Sequence, residues 1–296
     1  MHRARRFAAA ATTGAGLGCG SFLCCSHPFV SPVLPIAHAD ASVDTQAAVP
    51  LVRSVLLVIA MEQEAAPIIS HFALKQLKHQ FLPGSPMVAW QGLIGRDLTL
   101  RLVWSGRDAR YNVNNVGTAA AAVATYAAVS AFGVPDLVLS VGTAGGFAER
   151  GAKIGDVYLS TKCVFHDRRI PEGGSNEGEL EEYGFGHYRS PPLAGLAAAA
   201  GLKSGVISTS DSLDHDGRDM ELMLSEGAVV KEMEAASVAW VCKQLGLPFA
   251  ALKAVTDIVD GPKATREEFE SNLGEAALAL QVSTLPDILA TGLYSR

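Results

Sequence analysis

From about residue 52 onward the chain alternates short apolar runs with Ala-rich stretches. Ser54–Ala60 is apolar after its serine, the pattern of a strand covered on both faces. Met87–Trp104 carries two apolar runs around Gly95-Arg96-Asp97, which predicts a hairpin. Val116–Phe132 is nearly all Ala, Val and Thr, and predicts a helix closed by Gly133 and Pro135. Further strands are expected at Asp136–Val141, Ile154–Ser160, Gly205–Thr209 and Phe249–Thr256. Helices are expected at Pro191–Ala200, Glu234–Leu245 and Glu267–Leu293. Such alternation specifies an α/β domain with a parallel or mixed sheet. The one long loop, Arg168–Arg189, is rich in Gly and Glu and reads as a functional or mobile segment with solvated carboxylates.

Composition refines this picture at the N-terminus. Hydrophobic residues make up 49% of the 296 and charged residues 18%, enough apolar material for a large core and unlike a disordered chain. The net charge of −6 argues against a dedicated nucleic-acid binder, which carries a basic face. That charge is uneven: residues 1–39 hold Arg3, Arg5 and Arg6 and no acid, so removing their +3 leaves −9 on 40–296. A basic start, a weakly apolar run from Phe7 to Cys25 and Ala37-His38-Ala39 before Asp40 have the form of a removable targeting segment. We therefore expect a leader over 1–39, a linker over 40–51 and one catalytic domain over 52–296. No uninterrupted run of ~20 apolar residues suggests a membrane span. Cys163 and Cys242 stand alone in the body and read as buried small hydrophobes, without a disulfide framework. The eight His are dispersed and no His-x-x-x-His or Cys-x-x-Cys pair occurs in the body, so neither metal nor cofactor is expected. His166 reads as structural.

In an open α/β sheet, ligands bind where loops converge at the carboxyl ends of strands. Four polar clusters fall at such ends. Glu62 and Glu64 follow the strand ending near Ala60 and would begin a helix, where its dipole favours carboxylates. Gly142-Thr143-Ala144-Gly145-Gly146 follows Val141; it is neither a dinucleotide fingerprint nor a P-loop, and it allows either a tight turn or close backbone approach to a ligand. Lys231-Glu232-Met233-Glu234 opens the Ala-rich helix, as a cap or as a site for vicinal hydroxyls. Asp257 closes the strand from Phe249, as a helix cap or as a general acid. Taken alone, each cluster has a structural reading beside the chemical one: helix-end carboxylates, a tight turn, or a cap.

In combination and order they resemble one family, the 5′-methylthioadenosine/S-adenosylhomocysteine nucleosidases of the nucleoside phosphorylase-like superfamily. The carrying stretches are Ile59–Glu64, Val141–Phe147, Ile154–Val157, Glu232–Ala235 and Leu252–Asp260. Val164–Pro171, Ser208–Asp214 and Ser105–Ala109 bring the resemblance closest to the plant-type branch. It covers the chain from about residue 52 and excludes the leader.

The resemblance implies a three-layer α/β/α fold with a central mixed sheet. It further implies hydrolysis of the N-glycosidic bond of a 5′-alkylthioadenosine to adenine and a thioribose, in methionine salvage. By motif position Asp257 is the general acid to purine N7 and Glu64 the base for water, with Glu62 structural. Glu234 holds the ribose hydroxyls and Met233 packs on the sugar. Thr143 borders the nucleoside, Lys231, Glu232, Met233 and Glu234 form another wall, and backbone near Leu213 meets the adenine edge. The expected partners are a small nucleoside and a second copy in a homodimer, with no nucleic acid and no membrane. A plastid is the favoured destination of the leader, with mitochondrial, secreted and cytoplasmic alternatives. Two features depart from bacterial members: Lys253 stands in place of Arg, and Lys263–Glu267 holds no counterpart of the aromatic in their 5′-thio pocket. These favour methylthioadenosine over the bulkier homocysteine adduct. A phosphorylase, served by Arg107 and Arg110, and a non-catalytic nucleoside-binding or storage protein are the alternatives.

Overall fold

The apolar run of the first strand, β1 (Ser54–Ile59), feeds two cores at once, because successive side chains of a strand point to opposite faces. Val55, Leu57 and Ile59 pack with Ala65 and Ile68 of helix α1 (Glu62–His71) and Ala276 of helix α5 (Thr265–Ala279). Leu56 and Val58 pack with Ala121, Ala124 and Ala128 of α2 (Thr118–Phe132) and with the Ala-rich face of α4 (Ala235–Leu245). Helices thus cover both faces of the sheet, giving three α/β/α layers. The computed structural model describes residues 52–78, 81–170, 183–193, 197, 198 and 200–280. The leader, most of the Gly- and Glu-rich loop, part of the helix expected at Pro191–Ala200 and everything after 280 lie outside the described residues.

The ten-stranded sheet is mixed. Its remaining strands are β2 (Lys75–Leu77), β3 (Val88–Ile94), β4 (Leu98–Trp104), β5 (Leu137–Gly146), β6 (Val157–Phe165), β7 (Tyr188–Arg189), β8 (Lys203–Thr209), β9 (Ala228–Glu232) and β10 (Phe249–Ile258). The order is β10-β6-β8-β9-β5-β1-β4-β3-β2, with β7 on β6. Strands β1, β4, β5 and β10 pair in parallel, whereas β3 with β4 forms the expected antiparallel hairpin.

Three features differ from the sequence expectations. The sheet is not open: β10 pairs with β5 as well as β6, so β5, β9, β8, β6 and β10 close a circuit. The Gly-rich segment after Val141 is not a turn but the buried end of β5, paired with β10 and, at Gly145 and Gly146, with β9. Finally, Lys231 and Glu232 do not open a helix. They end β9, and α4 begins only at Ala235, after Glu234. An additional helix, α3 (Gly217–Ser225), precedes β9 and is capped by Asp216, whose carboxylate accepts the Asp219 N–H at 2.8 Å.

Candidate active site

The carboxyl ends of β1, β5, β9 and β10 enclose a cleft. Every residue expected to bind or transform a substrate in the nucleosidase reading lines it: Glu64, Thr143, Leu213, Lys231, Glu232, Met233, Glu234 and Asp257. Val116, His215, Thr265 and Phe269 also line it and were not foreseen. Phe269 is the informative omission. An aromatic ring does line the cleft, two residues beyond the segment in which one was sought.

Glu64 lies in the first turn of α1 and is only 3% exposed. Its Oε1 accepts the Thr143 N–H at 2.7 Å and the Thr143 hydroxyl at 2.8 Å, and its Oε2 accepts the Met61 N–H at 3.2 Å. Gly142 is what lets β5 approach so closely, since a Cβ there would meet Oε1 at 2.9 Å. Burial raises the Glu64 pKa above the usual carboxylate value, against the pull of Lys253 and the Thr143 and Met61 hydrogen bonds. Glu62 is held outside the cleft by Arg107, 2.6 Å away on the surface.

Asp257 owes its place to an irregularity. The β5–β10 register slips between Val255 and Asp257, so Asp257 pairs with Gly145. A Cβ on Gly145 would meet Asp257 Oδ2 at 2.6 Å. The carboxyl is 2% exposed; Oδ1 accepts the Thr256 hydroxyl at 2.7 Å, while Oδ2 has no hydrogen-bond partner among the described residues. Burial raises its pKa, helped by the Glu268 charge and opposed by Thr256 and Lys231. A buried carboxyl with one open oxygen suits a group that carries a proton to a ligand.

A third group centres on Lys253, which is 1% exposed within β10. Its ammonium lies 2.8 Å from Glu232 Oε2 and 3.9 Å from Glu234 Oε2. Burial works against this charge, but Glu232, Glu234 and Glu64 outweigh it and hold the Lys253 pKa above its ordinary value. Both Glu232 oxygens are engaged, by the Thr209 hydroxyl, by Lys253 and by the Glu234 and Ala235 N–H groups at the start of α4. Among the described residues Glu234 accepts the Gly117 N–H alone, at 3.0 Å through Oε1, while Oε2 lies 3.9 Å from Lys253, and the residue lines the cleft. One ammonium cannot balance three carboxylates in a dry site. Burial and the Glu232 charge push the Glu234 pKa up to about 7 despite Lys253. A lone charge inside the apolar run Leu252–Val255 was the signal in the sequence that could have identified Lys253.

Of the other residues weighed from the sequence, His166 is buried, with Nδ1 2.9 Å from the Ser208 hydroxyl. Burial pushes its pKa down to about 4, so the ring is neutral near pH 7. Arg107 donates to Glu62 and to the Asn112 carbonyl, and Arg110 stacks over Tyr111. Neither arginine lines the cleft.

A family model of the phosphorylase superfamily matches residues 54–285. A 5′-methylthioadenosine nucleosidase of Arabidopsis thaliana is 41% identical over 231 residues, covering 78% of this chain and 84% of the relative. The chain belongs to the methylthioadenosine/S-adenosylhomocysteine nucleosidase family. A second Arabidopsis thaliana member, a 5′-methylthioadenosine/S-adenosylhomocysteine nucleosidase, is 37% identical and covers 78% of this chain and 89% of its own length. The solved apo structure of Arabidopsis thaliana 5′-methylthioadenosine nucleosidase superimposes with a TM-score of 0.77 at 39% identity, over 83% of this chain and 97% of that one. The nucleosidase family's fold, three layers around a mixed sheet, is therefore the fold of this chain.

Proposed function

We propose that this protein hydrolyses the N-glycosidic bond of 5′-methylthioadenosine to adenine and 5-methylthioribose. The observation that carries the reading is the pair of buried carboxyls, Glu64 and Asp257, lining one cleft with proton affinities raised by burial. The departing purine gathers negative charge, so a proton must reach N7 as the bond from N9 to C1′ breaks. Asp257 supplies it from Oδ2. The ribose becomes oxocarbenium-like and a water attacks C1′, giving its proton to Glu64. The division of labour is that of an inverting glycosidase, one acid and one base. Glu234 receives the ribose hydroxyls on its open oxygen, Met233 packs on the sugar, and Thr143 fixes the base Glu64. Lys231 and Glu232 wall the cleft, and backbone near Leu213 meets the adenine edge. Thr265 and Phe269 flank the 5′-thio group, and S-adenosylhomocysteine is the second substrate to be tried beside methylthioadenosine. Hydrolysis is favoured over phosphorolysis because Arg107 and Arg110 are committed away from the cleft.

The product places the enzyme in methionine salvage, and residues 1–39 serve as a leader to a plastid ahead of a catalytic domain over 52–296. The protein works as a homodimer. In support, Leu82, Val123, Tyr126 and Trp240 expose apolar surface along one groove over α2 and α4.

The test is adenine release from methylthioadenosine, S-adenosylhomocysteine, adenosine and inosine, with and without phosphate. Release from methylthioadenosine without phosphate is expected; strict phosphate dependence points to a phosphorylase, and no release to a binding protein. Asp257→Asn should lower kcat by roughly 10²–10⁴-fold while substrate affinity by calorimetry holds. Lost affinity with near-normal turnover refutes the acid role.

A further inference from the structure

Lys231 is a buried cation that the acid–base scheme leaves without a task. It is 5% exposed and sits on β9 between two strands, opposite Ser208 of β8 and Gly145 of β5. Gly145 is also the register partner of Asp257 on the far side of β5. Closure of the sheet thus sets Lys231 and Asp257 on the two strands flanking one glycine, and both side chains line the cleft. The ammonium donates to two consecutive carbonyls, Ser212 at 2.6 Å and Leu213 at 2.9 Å. Those carbonyls belong to a segment with no ladder of its own between β8 and α3. An ammonium has three donors, and two of them hold this backbone.

We propose that Lys231 is a positioning residue: it clamps the 212–213 backbone that faces the leaving base and stations a positive charge beside the acid Asp257. The inference rests on the hydrolase reading above for the identity of base and acid. Both halves follow from burial. A clamp sequestered from solvent is not exchanged for water, and a charge in a dry cleft acts at full strength on its neighbours. The groups facing Asp257 are the Thr256 hydroxyl on its own strand, Lys231 from β9 and Glu268 from α5; of these only Lys231 is cationic. Those facing Lys231 are Asp257, Asp214 in the clamped segment, Glu232 on β9 and Asp219 of α3. His166, just past the end of β6 and also within reach, is neutral near pH 7. Lys231 therefore holds the acid's proton less firmly than burial alone would dictate and eases its transfer.

Two variants of the full-length chain separate the clamp from the charge: Lys231→Met removes both, and Lys231→Gln removes the charge while keeping an amide donor. Hydrogen exchange of amides 211–214 should quicken at least about tenfold in Lys231→Met, and the KM for methylthioadenosine should rise by a similar factor. In both variants the Asp257 carboxyl, followed by ¹³C NMR and assigned by its loss in Asp257→Asn, should titrate about one pH unit higher. The alkaline limb of kcat/KM should move with it, because the acid stays protonated longer. Unchanged exchange in Lys231→Met overturns the clamp, and an unmoved Asp257 titration in Lys231→Gln overturns the charge. If the wild type releases no adenine, the hydrolase reading fails, while exchange and NMR still decide both halves. Should Lys231→Met not fold, Lys231→Gln carries the titration and the wild-type protection of 211–214 reads the clamp.

Discussion

At the scale of the residue, the site is governed by how few cations face its carboxylates. Glu234 shares Lys253 with Glu232, which lies closer to the ammonium, and its pKa rises from an ordinary 4.5 to about 7. A carboxyl whose folded value is raised contributes stability that is fully present below the unfolded value and is lost as pH rises through the folded one. The window for Glu234 thus runs from about 4.5 to past about 7. Relative to Glu234→Gln, the wild-type chain should be more stable at pH 5 than at pH 8. Urea midpoints of the two proteins at both pH values check this, and a constant difference between them refutes it. The same crowding means that a ligand offering hydroxyl donors to Glu234 favours its ionised form, so binding and proton release are coupled there.

At the scale of the element, Glu232 joins three strands and a helix. It ends β9, takes the Thr209 hydroxyl of β8, pairs with Lys253 of β10 and caps α4 through the Glu234 and Ala235 N–H groups. Glu232→Gln keeps the shape but leaves a buried ammonium short of its nearer carboxylate. We expect a loss of about 3 kcal/mol, read as a lower urea midpoint at unchanged slope, with the paired Glu232→Gln, Lys253→Met variant losing less. An unchanged midpoint contradicts this account. Much of this layer is legible in the sequence, for a physical reason. Strands β1, β5 and β10 are buried on both faces and so appear as largely apolar runs, and α2 and α4 as Ala-rich stretches each closed by a glycine. What escapes is decided by distant partners. Strand β9 is five residues long and ends in two charges, acceptable inside only because Ser212, Leu213, Lys253 and the α4 amides meet them. The β5–β10 slip that aims Asp257 has no local signature, and Phe269 was sought two residues too early. Helix α3 did carry signals, the Asp216–Asp219 pair and Met220, Met223 and Leu224 at helical spacing, but its nine residues are shorter than the window over which such a period stands out.

At the scale of the whole molecule, the exposed groove over α2 and α4 bears on assembly. If a second copy covers it, charges placed there should separate the copies. Val123→Glu with Tyr126→Glu should elute as a monomer in light-scattering chromatography while the wild type elutes as a dimer, and a monomeric wild type overturns the assembly. The closed part of the sheet bears on something different. Thr143 of β5 grips Glu64, and Gly145, two residues on, faces Asp257. Glu64 of α1 and Asp257 of β10 are thus both set against one strand, at points about 6.6 Å apart along it. In the proposed reaction β5 is therefore the common rail, and the Thr143 hydrogen bonds are what couple Glu64 on its helix to Asp257 across the strand. Thr265 and Phe269 belong to α5, so under the proposed function changing them should alter the choice of 5′ substituent while the spacing set along β5 is kept.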